Sequence, residues 1–265
     1  MTLREKLTSV LHTEWIGNQI LWYTETGSTN DEIRRLADEG TPEGLLVLAE
    51  HQTGGKGRRG RSWVTPAGSA IAVSLLLRPE IEPQYASMIT LIMGLAAAEG
   101  IREYTNLQAQ IKWPNDVVIN GKKVCGILTE MQMKGSEIAY VVVGTGINTG
   151  IDEFPEELQN TASSLHQLTG KEISRPELLA ACMERFEYYY GQFLQTCDLS
   201  QMMDTYNELL AGKNGQVRVL EPGNEYTGIA RGINAAGELL VEREDGTIEA
   251  VYAGEVSVRG IYGYI

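Results

Sequence analysis

Leucines recur at helical spacing in "LREKLTSVLHT", and the apolar run "ILWYTE" that follows reads as a strand. "GSTNDEIRRLADEG" then carries a helix start signal, Ser28 with Asp31 three positions on, and a stop signal in Gly40. Two short apolar runs, "GLLVLAEHQ" and "AIAVSLLLRP", predict strands on either side of a glycine- and arginine-rich loop, the second closed by Pro79. "YASMITLIMGLAAAEGIREY" is apolar around most of a helical circumference, which suits a helix buried against a sheet. Asn120-Gly121 inside "AQIKWPNDVVINGKKVCGILTEMQ" predicts a β-hairpin, because both central residues of a type I′ turn need positive φ.

"IAYVVVGTGIN" is a further strand, and "RPELLAACMERFEYYYGQFLQ" and "LSQMMDTYNELL" are two helices. From about Lys213 the pattern breaks into short alternating runs separated by Gly and Asn, the habit of a small β-barrel. We expect two units, residues 1–212 with a mixed sheet and packed helices, and 213–265 as the small barrel. No internal repeat or low-complexity segment interrupts them.

Composition adds exclusions. The chain has 265 residues, 43% of them hydrophobic and 22% charged, as ordinary globular proteins do. A net charge of -13 argues against non-specific binding to nucleic acid, which selects basic surfaces. The three cysteines, Cys125, Cys182 and Cys197, show neither disulfide nor metal-ligand spacing, which fits a reducing cytoplasm and no metal site. "MTLREKLTSVL" is charged where a secretory signal needs an apolar core, and the longest apolar segment falls short of the roughly 20 residues of a membrane span.

Against the acidic balance, "GGKGRRGRSW" places Lys56, Arg58, Arg59 and Arg61 together, with glycines at 54, 55, 57 and 60. Such a loop either forms an anion nest, backbone N–H groups and guanidinium forks converging on phosphate or carboxylate, or is a solvated turn. It lacks the lysine and Ser/Thr spacing of a P-loop. "KWPNDV", Lys112 to Val117, is either a specially shaped functional loop or a turn closed by an Asn-Asp pair. "GTGIN" lacks the full dinucleotide-binding glycine pattern, and His12, His51 and His166 form no catalytic dyad.

Taken in order, "GSTN", "EHQTGGKGRRGRSW", "KWPNDV", "GKKVCGILTE", "GTGIN" and "GEVSVRG" resemble the motifs of the biotin protein ligases, from about residue 20 to the end. The resemblance implies an α+β fold of the class II synthetase-like, biotin–lipoate ligase type with a C-terminal SH3-like barrel. It also implies an AMP-producing, carbon–nitrogen bond-forming ligase. Such an enzyme uses ATP, with Mg²⁺, to convert biotin to biotinyl-5′-AMP, then biotinylates one lysine of a biotin carboxyl carrier protein domain.

By the same resemblance, Ser28, Thr29, Asn30 and Gln52 line the biotin pocket and bind the ureido ring. Gly55, Lys56, Gly57 and Arg58 lie over the carboxylate and phosphate. Lys123 faces the biotin carboxylate and Gly126 supplies a backbone contact. Arg59, Arg61, Trp63, Lys112, Asn115, Asp116 and Asn148 belong to the nucleotide side, Trp63 as an adenine-stacking face, and Arg259 reaches over from the C-terminal unit. Lys123, Arg58, Lys112 and Asp116 are the expected catalytic set; Lys122 is expected to be solvated. Lys56 departs from the arginine frequent at its position, keeping the charge but losing the bidentate fork.

Some relatives carry a winged-helix DNA-binding domain ahead of the catalytic core. Only about 19 residues precede the first core strand here, so a monofunctional ligase without DNA binding is expected. The strand "CGILTEMQ" could lie at a sheet edge and pair with its copy, making a homodimer. Two other activities remain open: a lipoate or octanoate ligase of the same superfamily, and a nucleic-acid-binding module using the arginine loop.

Overall fold

The computed structural model describes residues 2–63, 66–220, 223, 225–253 and 257–260, so Gly254–Val256 of the "GEVSVRG" motif lie outside the described residues. The chain begins with α1 (Leu3–Val10), β1 (Gln19–Thr26), α2 (Thr29–Asp38), β2 (Leu45–Gln52) and β3 (Ala70–Leu77). It continues with α3 (Met88–Thr105), β4 (Gln110–Lys112), β5 (Asp116–Ile119), β6 (Lys122–Lys134) and β7 (Glu137–Asn148). After α4 (Leu165–Thr169), α5 (Arg175–Thr196) and α6 (Met203–Leu209) come the C-terminal strands. These are β8 (Gln216–Leu220), β9 (Tyr226–Ile233), β10 (Leu239–Glu242), β11 (Ile248–Val251) and β12 (Ser257–Gly260).

The first seven strands form one mixed sheet in the order β1-β2-β3-β7-β6-β5-β4, with β1 and β2 parallel and the other neighbours antiparallel. One face carries Val73, Leu75, Ile127, Val143 and Ile147 against the buried flank of α3 and against α5. The other face packs α2 through Ile33 and Ala37 against Val47, Leu76 and Val142. This two-sided burial explains why β3 is buried throughout and, but for Ser74, apolar rather than alternating. The remaining strands form a five-stranded antiparallel sheet, β11-β10-β9-β8-β12, whose Val217, Val219 and Ile233 share a core with the first sheet.

The Asn120-Gly121 turn forms as expected, with φ of 49° and 77°. The edge position expected for "CGILTEMQ" holds for half the strand: β6 pairs with β5 from Lys122 to Gly126, and beyond Ile127 the described strands flank it only through β7. α2 starts at the expected residue by a different device. Ser28 is the N-cap but its side chain makes no capping bond, while the Thr29 N–H, 2.8 Å from Gln52 Oε1, donates to that side chain. The Ser28 hydroxyl is thereby left to the cavity beside it. No helix among the described residues is long and apolar enough to cross a membrane.

A candidate site for an acyl group and a nucleotide

On the α2 side of the sheet, the central strands lose their side chains. Alternation puts Ala72 and Ser74 of β3, Gly144 and Gly146 of β7 and Gly126 of β6 on one face, with Ala72 opposite Gly146, Ser74 opposite Gly144 and Gly126 opposite Gly146. A Cβ on Gly146 would come within 2.4 Å of the Trp63 ring, one on Gly144 within 2.3 Å of Asn30 Oδ1, and one on Gly126 within 2.8 Å of Lys123 Nζ. A side chain here would push the Trp63 ring, the Asn30 amide or the Lys123 ammonium aside, so the glycines keep the strand floor a trough.

One wall of the trough is a polar chain. Thr29 Oγ1 donates to Gln52 Oε1 at 3.1 Å, and Ser74 Oγ lies 2.7 Å from Thr29 Oγ1 and 2.5 Å from Asn30 Oδ1. Ser28, Thr29 and Asn30 are each only 4% exposed. Sequence reasoning placed these residues but missed Ser74, whose signal was a lone serine in an otherwise apolar strand.

The opposite wall is cationic, and a bulge builds it. Val117 pairs with Cys125 but Val118 pairs with Lys123, so Val124 has no residue opposite. The extra residue turns Lys123 onto the face of Gly126, whereas plain alternation would send it into the core with Cys125. Lys123 Nζ sits 2.6 Å from Asp116 Oδ1 and 5.3 Å from the Trp63 ring centroid. Asn115, in the tight turn between β4 and β5, donates through Nδ2 to Ile127 O and Asp116 Oδ1, while its Oδ1 accepts from Arg58 Nη1 at 2.8 Å. Burial lowers the Arg58 pKa from its ordinary value; Asp116 opposes the shift, and Arg59 and Arg61 add to it. Burial likewise pulls Lys112 down to about 8 despite Asp116, with Lys123, Arg259 and Arg61 pushing the same way.

The glycine-arginine loop closes over this arrangement as a short hairpin. Trp63 N donates to Gly55 O and Gly57 N to Arg61 O, with Lys56 bridging to Ser62 between them. Arg59 reaches φ 59° at its tip. Lys56 Nζ turns to Asp31 Oδ1 and Oδ2, 2.6 and 2.7 Å away, an ion pair not anticipated from the sequence. Trp63 lies on the glycine floor, its Nε1 buried without a hydrogen-bond partner among the described residues. The free cavity is about 50 Å³, well below the ~300 Å³ at which small-molecule sites begin.

Most of the expected residues therefore converge. Ser28, Thr29, Asn30, Gln52, Lys56, Gly57, Arg58, Trp63, Asn115, Lys123 and Gly126 line the cavity. Gly55 shapes the hairpin, Asp116 holds Lys123, and Arg259 on β12 is exposed but near enough for its charge to depress Lys112. Arg59 lines a neighbouring groove and Arg61 points to solvent. Asn148 lies off the cavity, its amide donating to Ser163 O at 3.1 Å. Lys122, expected to be solvated, is half-buried, with Nζ 2.9 Å from Gln159 O.

Residues 24–148 match the profile of the Biotin/lipoate A/B protein ligase family, and residues 214–259 that of the Biotin protein ligase C terminal domain. The chain is 30% identical over 272 residues to the biotin–[acetyl-CoA-carboxylase] ligase of Mycobacterium tuberculosis, covering 97% of this chain and 98% of that one. The chain belongs to the biotin protein ligase family. A second family member, the bifunctional ligase/repressor BirA of Bacillus spizizenii, is 36% identical over 94% of this chain and 76% of its own length. The Aquifex aeolicus biotin protein ligase, solved in complex with biotin and ATP, superposes with a TM-score of 0.80 at 29% identity over 92% of this chain and 99% of that one. The sheet with its helices and the C-terminal antiparallel sheet are thus the fold of this family.

Proposed function

We propose that the protein activates biotin with ATP to biotinyl-5′-AMP and passes the biotinyl group to a lysine of a biotin carboxyl carrier protein domain. The observation that carries this is the juxtaposition of a donor-and-acceptor wall, Ser28 to Asn30 with Gln52, and a cationic wall, Lys123 and Arg58, across a glycine floor, with Lys112 outside the cavity but close enough to feel Lys123 and Asp116. A carboxylate oxygen must attack the α-phosphorus of ATP, releasing pyrophosphate, and the two anions repel. Cations fixed on the sheet offset that repulsion and cost little reorganisation as charge moves. The carrier's amine then attacks the acyl carbon, forming the amide and releasing AMP.

In this reading Lys123 meets the biotin carboxylate, Lys112 and Arg58 the phosphate, and Asp116 orients Lys123. Arg59, Arg61 and Arg259 add positive charge at the nucleotide end, Trp63 offers its face to adenine, and Asn148 supports the strand end. The hairpin shields the mixed anhydride from water. Among the described residues no group of three or more His, Cys, Asp or Glu could hold a metal. Mg²⁺ would therefore arrive on the nucleotide's own phosphates and water, beside Asp116.

We assign residues 1–212 to catalysis and 213–265 to a supporting C-terminal unit, and place the activity in the cytoplasm. DNA is not among the proposed partners, since the net charge is -13 and the arginine loop is taken up by this site. The open edge of β6 beyond Ile127 favours a homodimer by strand pairing. Incubating the protein with biotin, ATP and a purified carrier domain tests the function. The carrier should gain the mass of one biotinyl group at one lysine; no gain, or a lipoyl gain from lipoate, would refute it.

A further inference from the structure

Glu130 does not line the cavity, yet it decides what the cavity offers. Its Oε2 lies 2.7 Å from Asn30 Nδ2, and its Oε1 pairs with Arg34 Nη2. The other close partner of the Asn30 amide is Ser74 Oγ, at 2.5 Å from Oδ1. A hydroxyl gives or accepts a hydrogen bond equally well. If the Asn30 amide were reversed, Ser74 would accept from it and donate onward to Thr29 Oγ1, 2.7 Å away, with Thr29 donating to Gln52 as before. Three donors then serve three contacts, whereas the observed orientation has two hydroxyl protons for the same three, so the serine–threonine side does not itself select the observed one. A carboxylate only accepts, so Glu130 admits one of them; the Leu128 carbonyl favours the same orientation, but through a longer and weaker bond, 3.4 Å from Nδ2 against 2.7 Å.

We infer that Glu130 is a positioning residue that sets acyl-group specificity: by accepting from Asn30 Nδ2 it turns Asn30 Oδ1 over Gly144 as a fixed acceptor for a ligand N–H. The inference rests on the biotin reading above and deepens it. A cyclic urea brings N–H donors to that acceptor, whereas a dithiolane brings none and leaves the oxygen's second acceptor position empty, the first being taken by Ser74 Oγ. The signal in the sequence was a glutamate in "GILTE", two residues beyond Leu128 on the face that carries Gly126.

The test is a double-mutant cycle read by biotin calorimetry on wild type, Glu130→Gln, Asn30→Ala and the double variant. A glutamine can present either its oxygen or its nitrogen to Asn30, so Glu130→Gln should weaken biotin on the order of tenfold while ATP affinity stays within about twofold. If Glu130 acts through Asn30, the double variant should bind no worse than Asn30→Ala alone. Multiplying losses, a wild-type affinity in Glu130→Gln, or an equal loss for ATP would overturn the inference. Glu130→Ala runs the same cycle if Glu130→Gln does not fold. Arg34→Gln breaks the ion pair but leaves the acceptor, and should stay within about threefold of wild type; a loss matching that of Glu130→Gln would place the effect in the ion pair and overturn the inference too. Failure of wild type itself to bind biotin would instead refute the proposed function.

Discussion

Raising the pH should switch off ATP capture through a single ammonium. Lys112 closes β4, partly buried beside Asp116 and facing three other cations, and its pKa falls from 10.5 to about 8. The charged form serves the nucleotide, so free enzyme at pH 7 is about nine-tenths competent, and at pH 9 about one-tenth. kcat/KM for ATP in the adenylation half-reaction, which reports the free enzyme, should bend near pH 8 and then fall about tenfold per pH unit. Bound triphosphate restores the missing counter-charge, so the limb in kcat should lie higher. Lys112→Arg keeps the charge throughout and should remove the bend. Stability carries the opposite sign. Below about pH 8 both folded and unfolded chains hold the proton, and the folded state bears the cost of a buried cation. Between about 8 and 10.5 the unfolded chain binds more protons, so stability rises with pH, and the rise should be absent from Lys112→Met in urea titrations. A flat kcat/KM profile, or the same limb in Lys112→Arg, would refute this account of Lys112.

Three further outcomes follow from the same contacts. Lys123→Gln should weaken biotin binding by about ten- to a hundredfold, the worth of a charge-assisted hydrogen bond, while Lys122→Gln should bind as wild type in the same calorimetry; the reverse result would misplace the lysine by one residue. Asp116→Asn removes the anion that raises the Lys112 pKa, so the alkaline limb should move below 8 and adenylation should suffer more than biotin affinity; an unmoved limb would contradict the pairing. Because Trp63 occupies the glycine floor, stopped-flow biotin association should saturate with concentration in wild type and stay linear in Trp63→Ala, and saturation persisting in the variant would show that another step gates entry.

Periodicity made the central strands, the buried helix α3 and the Asn120-Gly121 hairpin legible, because each is a local pattern repeated over several residues. Motif order made the family legible. What stayed hidden depends on register. That Gly144 and Gly146 open a floor opposite Ala72, Ser74 and Gly126 is a fact of strand pairing, and "GTGIN" alone read only as the end of a strand. The bulge at Val124 that delivers Lys123 to the site leaves no mark in "GKKVCG". Lys56 and Asp31 are 25 residues apart, and Asn30 and Glu130 are 100 apart, too far for any local pattern to announce the pair. Asn148 shows the converse, a residue within a recognisable motif that lies off the cavity, with Nδ2 donating to Ser163 O.

The central claim, that this site joins biotin to AMP, is tested most directly by exchange of isotope-labelled pyrophosphate into ATP. Exchange requires the acyl-adenylate to form and reverse, and needs no carrier domain. Exchange should depend on biotin, should not be supported by lipoate, and should be strongly reduced in Lys123→Gln. Exchange driven by lipoate in place of biotin, or none with biotin, ATP and Mg²⁺ all present, would contradict it.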